Sequence, residues 1–239
     1  MRNWNDEISC RVIAMTLRLT QKDGRVDIDE VGSKAGSSPK LARKVLSDAL
    51  GRQVKSTISI TASDRFNLAL LAARGGSLDK AAESLSWQEF EEFTEECLQD
   101  AGFEVERNIR FKGTSRRWQI DVVGTRNQLV LCIDCKRWKP PNYKSKFTQA
   151  VLHSKASTQE FLNSFARARI SEGDVFALPI ILTVKDPPQA TSDGVIILSI
   201  LKLANFLQQV SPFSEGLPFI LPSRRAQNPI RAVTTALGD

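Results

Sequence analysis

The chain has 239 residues, of which 41% are hydrophobic and 25% charged, a balance that belongs to globular domains and excludes wholesale disorder or a fibrous repeat. Lys and Arg number 33 against 27 Asp and Glu, a formal net charge of +6, which suits a polyanionic partner and leaves the decision to where the charges sit. No run approaches the ~18 apolar residues of a membrane helix, and the opening residues Arg2, Asn3, Asp6 and Glu7 lead into no apolar stretch, so a soluble, cytoplasmic protein without a membrane partner is expected.

Ile8, Val12, Met15 and Leu19 recur at helical spacing behind Asn5, a candidate cap. Asp27 and Glu30 have the spacing of a capping box and open a short helix that Gly36 should stop. Ser37, Ser38 and Pro39 then start another, with Leu41, Val45, Leu46 and Leu50 as its buried stripe and Gly51 at its end. Two short helices joined by a Gly-Ser turn read as a helix-turn-helix. Residues 53–61 alternate as a short strand, and a helix over 64–74 runs into Gly75 and Gly76. This order resembles a winged-helix module, so residues 1–76 are expected as a small helical DNA-binding domain. Lys40, Arg43 and Lys44 on its second short helix are the groove-facing candidates. The small-residue stretch 77–85 is expected as a linker.

From Ser86 the pattern changes. Ser86 and Glu89 have capping-box spacing, and Phe90, Phe93, Cys97 and Leu98 form the stripe of a helix closed by Gly102. Strands are expected over 103–111, 117–123 and 129–136, with 124–128 as a turn. A long helix over 147–168, strands over 175–184 and 194–199 and a helix over 201–210 follow, giving the order αβββαβ(β)α. Residues 211–239, with Pro212, Pro218, Pro222 and Pro229, are expected to be irregular.

On the strand 129–136, Asp134 and Lys136 share one face, and Leu131, Ile133 and Cys135 take the other. An acid within an apolar run is costly to bury unless it binds a metal or a base. Asp121 interrupts the preceding strand in the same way, and the hairpin between them sets the two aspartates side by side. Two carboxylates and a lysine at adjacent strand ends are the parts of metal-dependent phosphodiester hydrolysis: hard oxygen ligands for Mg²⁺ or Mn²⁺, and a cation to orient a water or offset developing charge.

Asp121 followed by Asp134-Cys135-Lys136 resembles the Asp...(Asp/Glu)-x-Lys signature of the PD-(D/E)XK nuclease superfamily. Phe90-Glu91 before Gly102-Phe103, and Cys135-Lys136-Arg137-Trp138, are similar to elements of type IV (Mrr-like) restriction endonuclease domains and archaeal Holliday-junction resolvases. The resemblance covers roughly residues 86–200. It implies an α/β, restriction-endonuclease-like αβββαβ core with a mixed sheet flanked by helices over 86–210, and a metal-dependent DNA endonuclease of restriction or repair type. It also implies that Asp121 and Asp134 ligate Mg²⁺ or Mn²⁺, that Lys136 serves the attacking water, and that Glu91 completes the metal's outer environment. Glu89, Glu91, Glu92, Glu95 and Glu96 crowd the helix after Ser86, so most of them are expected on a solvated face, and Glu91 is singled out by the resemblance alone.

Basic residues crowd this region: Arg107, Arg110, Lys112, Arg116 and Arg117 on the hairpin, then Arg137, Lys139, Lys144 and Lys146 after the third strand. Phosphate contact is the expected role, with Trp118, Trp138 and Tyr143 either stacking on bases or roofing the core. His153 beside Gln149 resembles a Gln-x-x-x-Tyr element of related nucleases, which makes both candidates for positioning DNA. Cys132 and Cys135 lie on opposite strand faces and are expected as buried small hydrophobes, not zinc ligands. The rival to an enzyme is a nuclease-fold scaffold that binds DNA or regulates without cutting. Cutting both strands with one site per chain favours a homodimer.

Overall fold

The structure, a computed structural model, describes residues 7–75, 78–137, 143–168 and 175–221. The chain divides into two compact units, Met1–Phe93 and Thr94–Asp239.

The first unit begins with α1 (Glu7–Leu19), whose expected cap Asn5 lies outside the described residues. A three-residue strand, β1 (Arg25–Asp27), leads into α2 (Ile28–Ala35). The Asp27 carboxylate accepts the backbone N–H groups of Asp29 and Glu30, and Gly36 ends the helix at φ 66°, a conformation that favours glycine. In α3 (Pro39–Leu50) the Ser38 hydroxyl accepts the Leu41 N–H. The buried residues of this helix are Ala42, Val45 and Leu46, whereas Leu41 and Leu50 are half-buried. The expected strand over 53–61 narrows to β2 (Thr57–Ser59), which pairs antiparallel with β1, Val26 opposite Ile58.

α4 (Ala62–Arg74) opens on a reciprocal capping box between Thr61 and Asp64. The stretch expected as a linker contains a helix instead, α5 (Leu78–Ser84), with Ala81, Ala82 and Leu85 fully buried. Small side chains that read as a flexible boundary are here the means of close helix packing. α6 (Trp87–Asp100) starts at the predicted capping box, with Ser86 N–H donating to Glu89 at 2.6 Å and Glu89 N–H donating to the Ser86 hydroxyl at 3.2 Å.

Arg65 on α4 knots this unit together. Its guanidinium donates to the carbonyls of Leu17 (2.6 Å) and Ser84 (2.9 Å), to the Thr20 hydroxyl (2.6 Å) and to both oxygens of Glu89. Glu89 is thus buried and paired as well as capping α6. Its neighbours differ from it only in degree: Glu91 is buried, and Glu92, Glu95 and Glu96 are half-buried.

The second unit is built on β3 (Glu104–Lys112), β4 (Arg117–Arg126), β5 (Leu129–Lys136), α7 (Tyr143–Ala168), β6 (Phe176–Thr183), β7 (Thr191–Ser192), β8 (Val195–Ser199) and α8 (Ile200–Gln209). Six strands form a mixed sheet in the order β3-β4-β5-β6-β8-β7, with β5, β6 and β8 parallel and the rest antiparallel. Helices flank this sheet, as in the restriction-endonuclease-like fold. β4 runs beyond the expected end at Val123, since Gly124, Thr125 and Arg126 stay paired with Leu131, Val130 and Leu129 of β5, and Leu98 of α6 packs over Gly124, where a Cβ would stand only 3.0 Å from the leucine. The turn falls at Asn127, at φ 54°.

On one face of the sheet, Val123, Val130 and Cys132 pack with Phe161 and Leu162 of α7. On the other, Cys135 lies 3.8 Å from the Thr94 hydroxyl of α6. In the C-terminal extension, Ile220 bridges to Ala177, and 222–239 lie outside the described residues.

Candidate active site

The pairing of β4 with β5 ends at Val122 opposite Ile133. One step further, Asp121 and Asp134 occupy facing positions, and no backbone pair joins them. The Asp121 side chain takes over from the ladder: its Oδ2 accepts the backbone N–H of Cys135 at 2.9 Å. Asp121 is buried. Burial, then the adjacent Asp134 charge, push its carboxyl up to about 7, although the Cys135 N–H and Lys136 pull the other way.

Lys136 and Asp134 share a face of β5 as their spacing requires, and Lys136 Nζ donates to Asp134 Oδ1 at 2.5 Å. The other oxygen, Asp134 Oδ2, is buried and receives no hydrogen bond. Two carboxyl groups side by side, one of them kept partly protonated by burial and then by the charge of the other, suit a divalent cation, whose charge would take the place of the proton and relieve their repulsion. Among the described residues, no group of three or more His, Cys, Asp or Glu gathers in a way that could hold a metal ion. Glu91 is buried on α6, within the first unit.

Directly across β4 from Asp121 stands Asn108, at φ 56° in the middle of β3. A non-glycine residue seldom adopts that conformation, and here it coincides with a change of face. Ile120 and Val123, which simple alternation would separate, join one core with Ile109 and Phe111. The fold therefore switches its pleat at Asp121. No periodicity in the sequence announces this, and an asparagine within a strand is its one sequence signal.

The basic residues divide by environment. Lys40, Arg43 and Lys44 are exposed on α3, with Arg43 4.0 Å from Asp29. Arg110, Lys112, Arg116 and Arg117 are exposed on the β3–β4 hairpin. Arg107 is taken by an ion pair with Glu95 at 2.6 Å. Arg137 is half-buried after β5, and Gln149 is exposed on α7. Lys139 and Trp138 lie outside the described residues, as do the side chains of Tyr143 and Lys144.

His153 is half-buried, its ring 5.3 Å from that of Trp118. Burial, then the Lys136 and Arg116 charges, hold it below the usual histidine range, and Asp121 acts in the opposite sense. His153 thus senses charges from both the candidate site and the basic hairpin. Trp118 is buried and belongs to the core. All four cysteines are free thiols; burial pushes Cys132 up to about 12, so it is an inert core residue.

A six-stranded mixed sheet with facing aspartates at the break of a hairpin and a lysine two residues on is the arrangement of a nuclease-type domain. Residues 82–162, which span Glu91, Asp121, Asp134, Lys136 and His153, match the family model described as a restriction endonuclease. The chain is 25% identical over 123 residues, 52% of its length and 90% of the relative's, to an uncharacterized protein of Archaeoglobus fulgidus. It is similar to the crystal structure of a protein of unknown function, at 18% identity and TM-score 0.33, with 62% of this chain and 66% of that one covered. A protein from Vibrio cholerae is matched at 13% identity and TM-score 0.41, over 84% of this chain. The chain spans about half the length of that second structure, 49%. Among the described residues, no helix is long and apolar enough to cross a membrane.

Proposed function

We propose that the protein is a metal-dependent DNA endonuclease in which Asp121 and Asp134 hold Mg²⁺ or Mn²⁺. The observation that carries this reading is the Asp121–Asp134 pair itself: an orphaned oxygen on Asp134 beside a carboxyl pushed up to about 7. The bound ion would supply Lewis-acid stabilisation of the phosphate and a more acidic water. Lys136, fixed on Asp134 Oδ1 at 2.5 Å, places its charge beside the same two carboxylates, where it orients the attacking water or offsets the charge that develops on the phosphate. Asp121 keeps its carboxylate aimed by accepting the Cys135 N–H. Arg110, Lys112, Arg116, Arg117, Arg137, Lys139 and Gln149 are the residues for contact with the DNA backbone.

Residues 1–76 form the winged-helix part of this reading. Exposed Lys40, Arg43 and Lys44 on the second helix of the helix-turn-helix meet duplex phosphates, and residues 86–210 form the nuclease part. A homodimer would bring two such sites to two strands.

A second reading, a DNA-binding scaffold that does not cut, is favoured by one observation: among the described residues only a pair, not a trio, of acidic groups is gathered. Cleavage of plasmid DNA over a Mg²⁺ and Mn²⁺ titration, with Asp134→Asn as control, separates the two. Metal-dependent nicking that the variant lacks supports the enzyme, and no nicking by the wild type at any metal concentration supports the scaffold.

A further inference from the structure

The hairpin that leads into Asp121 carries a structure that phosphate contact alone does not require. Its turn closes with Gly113 N–H donating to Arg116 O at 2.8 Å. Glu160 of α7 pins the same turn, accepting the Thr114 N–H at 2.9 Å and the Thr114 hydroxyl. Gly113 is buried, and a Cβ there would run into the Trp118 indole nitrogen, so the ring lies directly over the glycine. Trp118 thereby becomes a fixed wall, paired across the strands with Phe111.

On that wall lies Arg116, its guanidinium carbon 3.7 Å from the indole centroid and its Nη2 3.5 Å from His153 Nδ1. Arg116 is exposed. An arginine seated over an aromatic ring on one side and in reach of a histidine nitrogen is restrained, and it offers a planar cation on its other side. Beside it opens a recess of about 540 Å³ lined by Arg110, Lys112, Arg116, Arg117, Trp118 and His153, with no carboxylate among its described lining residues. The recess reaches Gln119, two residues before Asp121 on β4, about 7 Å of strand.

Duplex phosphates need cations along an open surface, and the bases of a duplex already stack on both faces. A concave site with an aromatic-backed guanidinium plane suits a base that has left its stack, with its flanking phosphates on the surrounding cations. We propose that this recess holds an unpaired nucleotide of the strand being cut, its base stacked on Arg116, so that the substrate class is DNA that is single-stranded or locally unpaired next to the scissile phosphate. This rests on the endonuclease reading for the word substrate, but binding is measurable without metal or cleavage.

The test uses the full chain in EDTA, titrated into two oligonucleotides that carry 2-aminopurine, one single-stranded and one fully duplex. The expected result is tighter binding to the single strand, with a change in 2-aminopurine fluorescence on binding. Both Arg116→Ala and Arg116→Lys should weaken single-strand binding on the order of tenfold and remove the fluorescence change. The lysine variant separates charge from plane. Wild-type affinity and signal in Arg116→Lys, or equal loss on single strand and duplex, would overturn the proposal in favour of plain phosphate contact. A fluorescence response that persists in a protein unable to cut DNA with Mg²⁺ would sink the endonuclease reading and leave the nucleotide site standing.

Discussion

Asp121 and Asp134 face each other where the β4–β5 ladder stops, and Asp121 Oδ2 takes the Cys135 N–H that a β4 carbonyl would otherwise accept. One carboxylate thus closes a strand register and supplies half of a charged pair. Its two roles respond differently to substitution, which makes them separable.

Asp121→Asn keeps an oxygen for the Cys135 N–H, so the fold should survive while Mg²⁺-dependent cleavage falls by about a hundredfold or more. Asp121→Ala should lose the same activity and in addition about 1–3 kcal/mol of stability, because a buried N–H is left unsatisfied. Asp134→Asn, with no backbone bond to lose, should resemble Asp121→Asn in cleavage and be no less stable than wild type without metal. Parallel cleavage assays and thermal melts check this, and an Asp134→Asn enzyme that cuts at the wild-type rate would refute the site.

The raised carboxyl of Asp121 predicts a pH dependence for the metal-free protein. With a folded value of about 7 against ~3.9 unfolded, the folded state binds the extra proton. Stability conferred by this group is therefore fully present below pH ~3.9 and is lost as pH rises through about 7, with a slope of at most ~1.4 kcal/mol per pH unit. Asp134→Asn removes the neighbouring charge and should flatten that decline. Saturating Mg²⁺ should flatten it as well, since the ion favours the ionised form. Denaturant melts in EDTA from pH 4 to 8 measure the slope, and a metal-free wild type that gains stability over this range would contradict the assignment.

Much of this is legible in the sequence because it is local. Asp27, Gly36, Ser38 and Gly51 mark the ends of α2 and α3 through bonds to residues a few positions away, and the β5 alternation places Asp134 and Lys136 on one face without any knowledge of neighbours. β1 is invisible because three residues, Arg25–Asp27, become a strand only by pairing with β2, some thirty positions on. α5 is hidden because Ala81 and Ala82 look the same in a linker and in a tight helix packing. The Arg65–Glu89 pair joins residues 24 positions apart, so Glu89 reads as a cap of α6 and not as a buried partner. The Arg116–Trp118 stack is legible as composition, aromatic among basic residues, but its geometry depends on Gly113 and on Glu160 from a distant helix.

Lys136→Ala should lower the single-turnover cleavage rate by about 10²–10³, the usual effect of losing one preorganised charge, and change metal affinity far less. The variant carries a second signature. The chain has one histidine, so its NMR titration is unambiguous, and Lys136 is among the charges that hold His153 low. Removing either Lys136 or Arg116 should raise the His153 pKa. An unmoved histidine in both cation variants would separate α7 from the carboxylate pair.

For the first unit, Lys40→Ala, Arg43→Ala and Lys44→Ala combined in the full chain should weaken duplex binding and reduce the salt slope by up to ~0.9 for each phosphate no longer neutralised. Arg43 should contribute least, since Asp29 stands 4.0 Å from its guanidinium. An unchanged slope would assign this surface to protein partners.

The Arg65 knot yields the sharpest stability test. Burial pushes Glu89 up, yet the Arg65 guanidinium and the Ser86 N–H together hold it below the usual carboxylate range. Stability from this lowered group is present above the unfolded value and lost as pH falls through the folded one. Arg65→Met should cost about 3–5 kcal/mol, because it leaves a buried carboxylate facing apolar neighbours and two carbonyls without their donor. Glu89→Gln retains an acceptor for the Ser86 N–H and a neutral partner for Arg65, and should cost less. The double variant Arg65→Met/Glu89→Gln should recover part of the Arg65→Met loss, since the orphaned charge is gone. If the two single losses simply add, the pair is not an ion pair in solution, and the packing of Ala81, Ala82 and Leu85 must hold α5 in place without it.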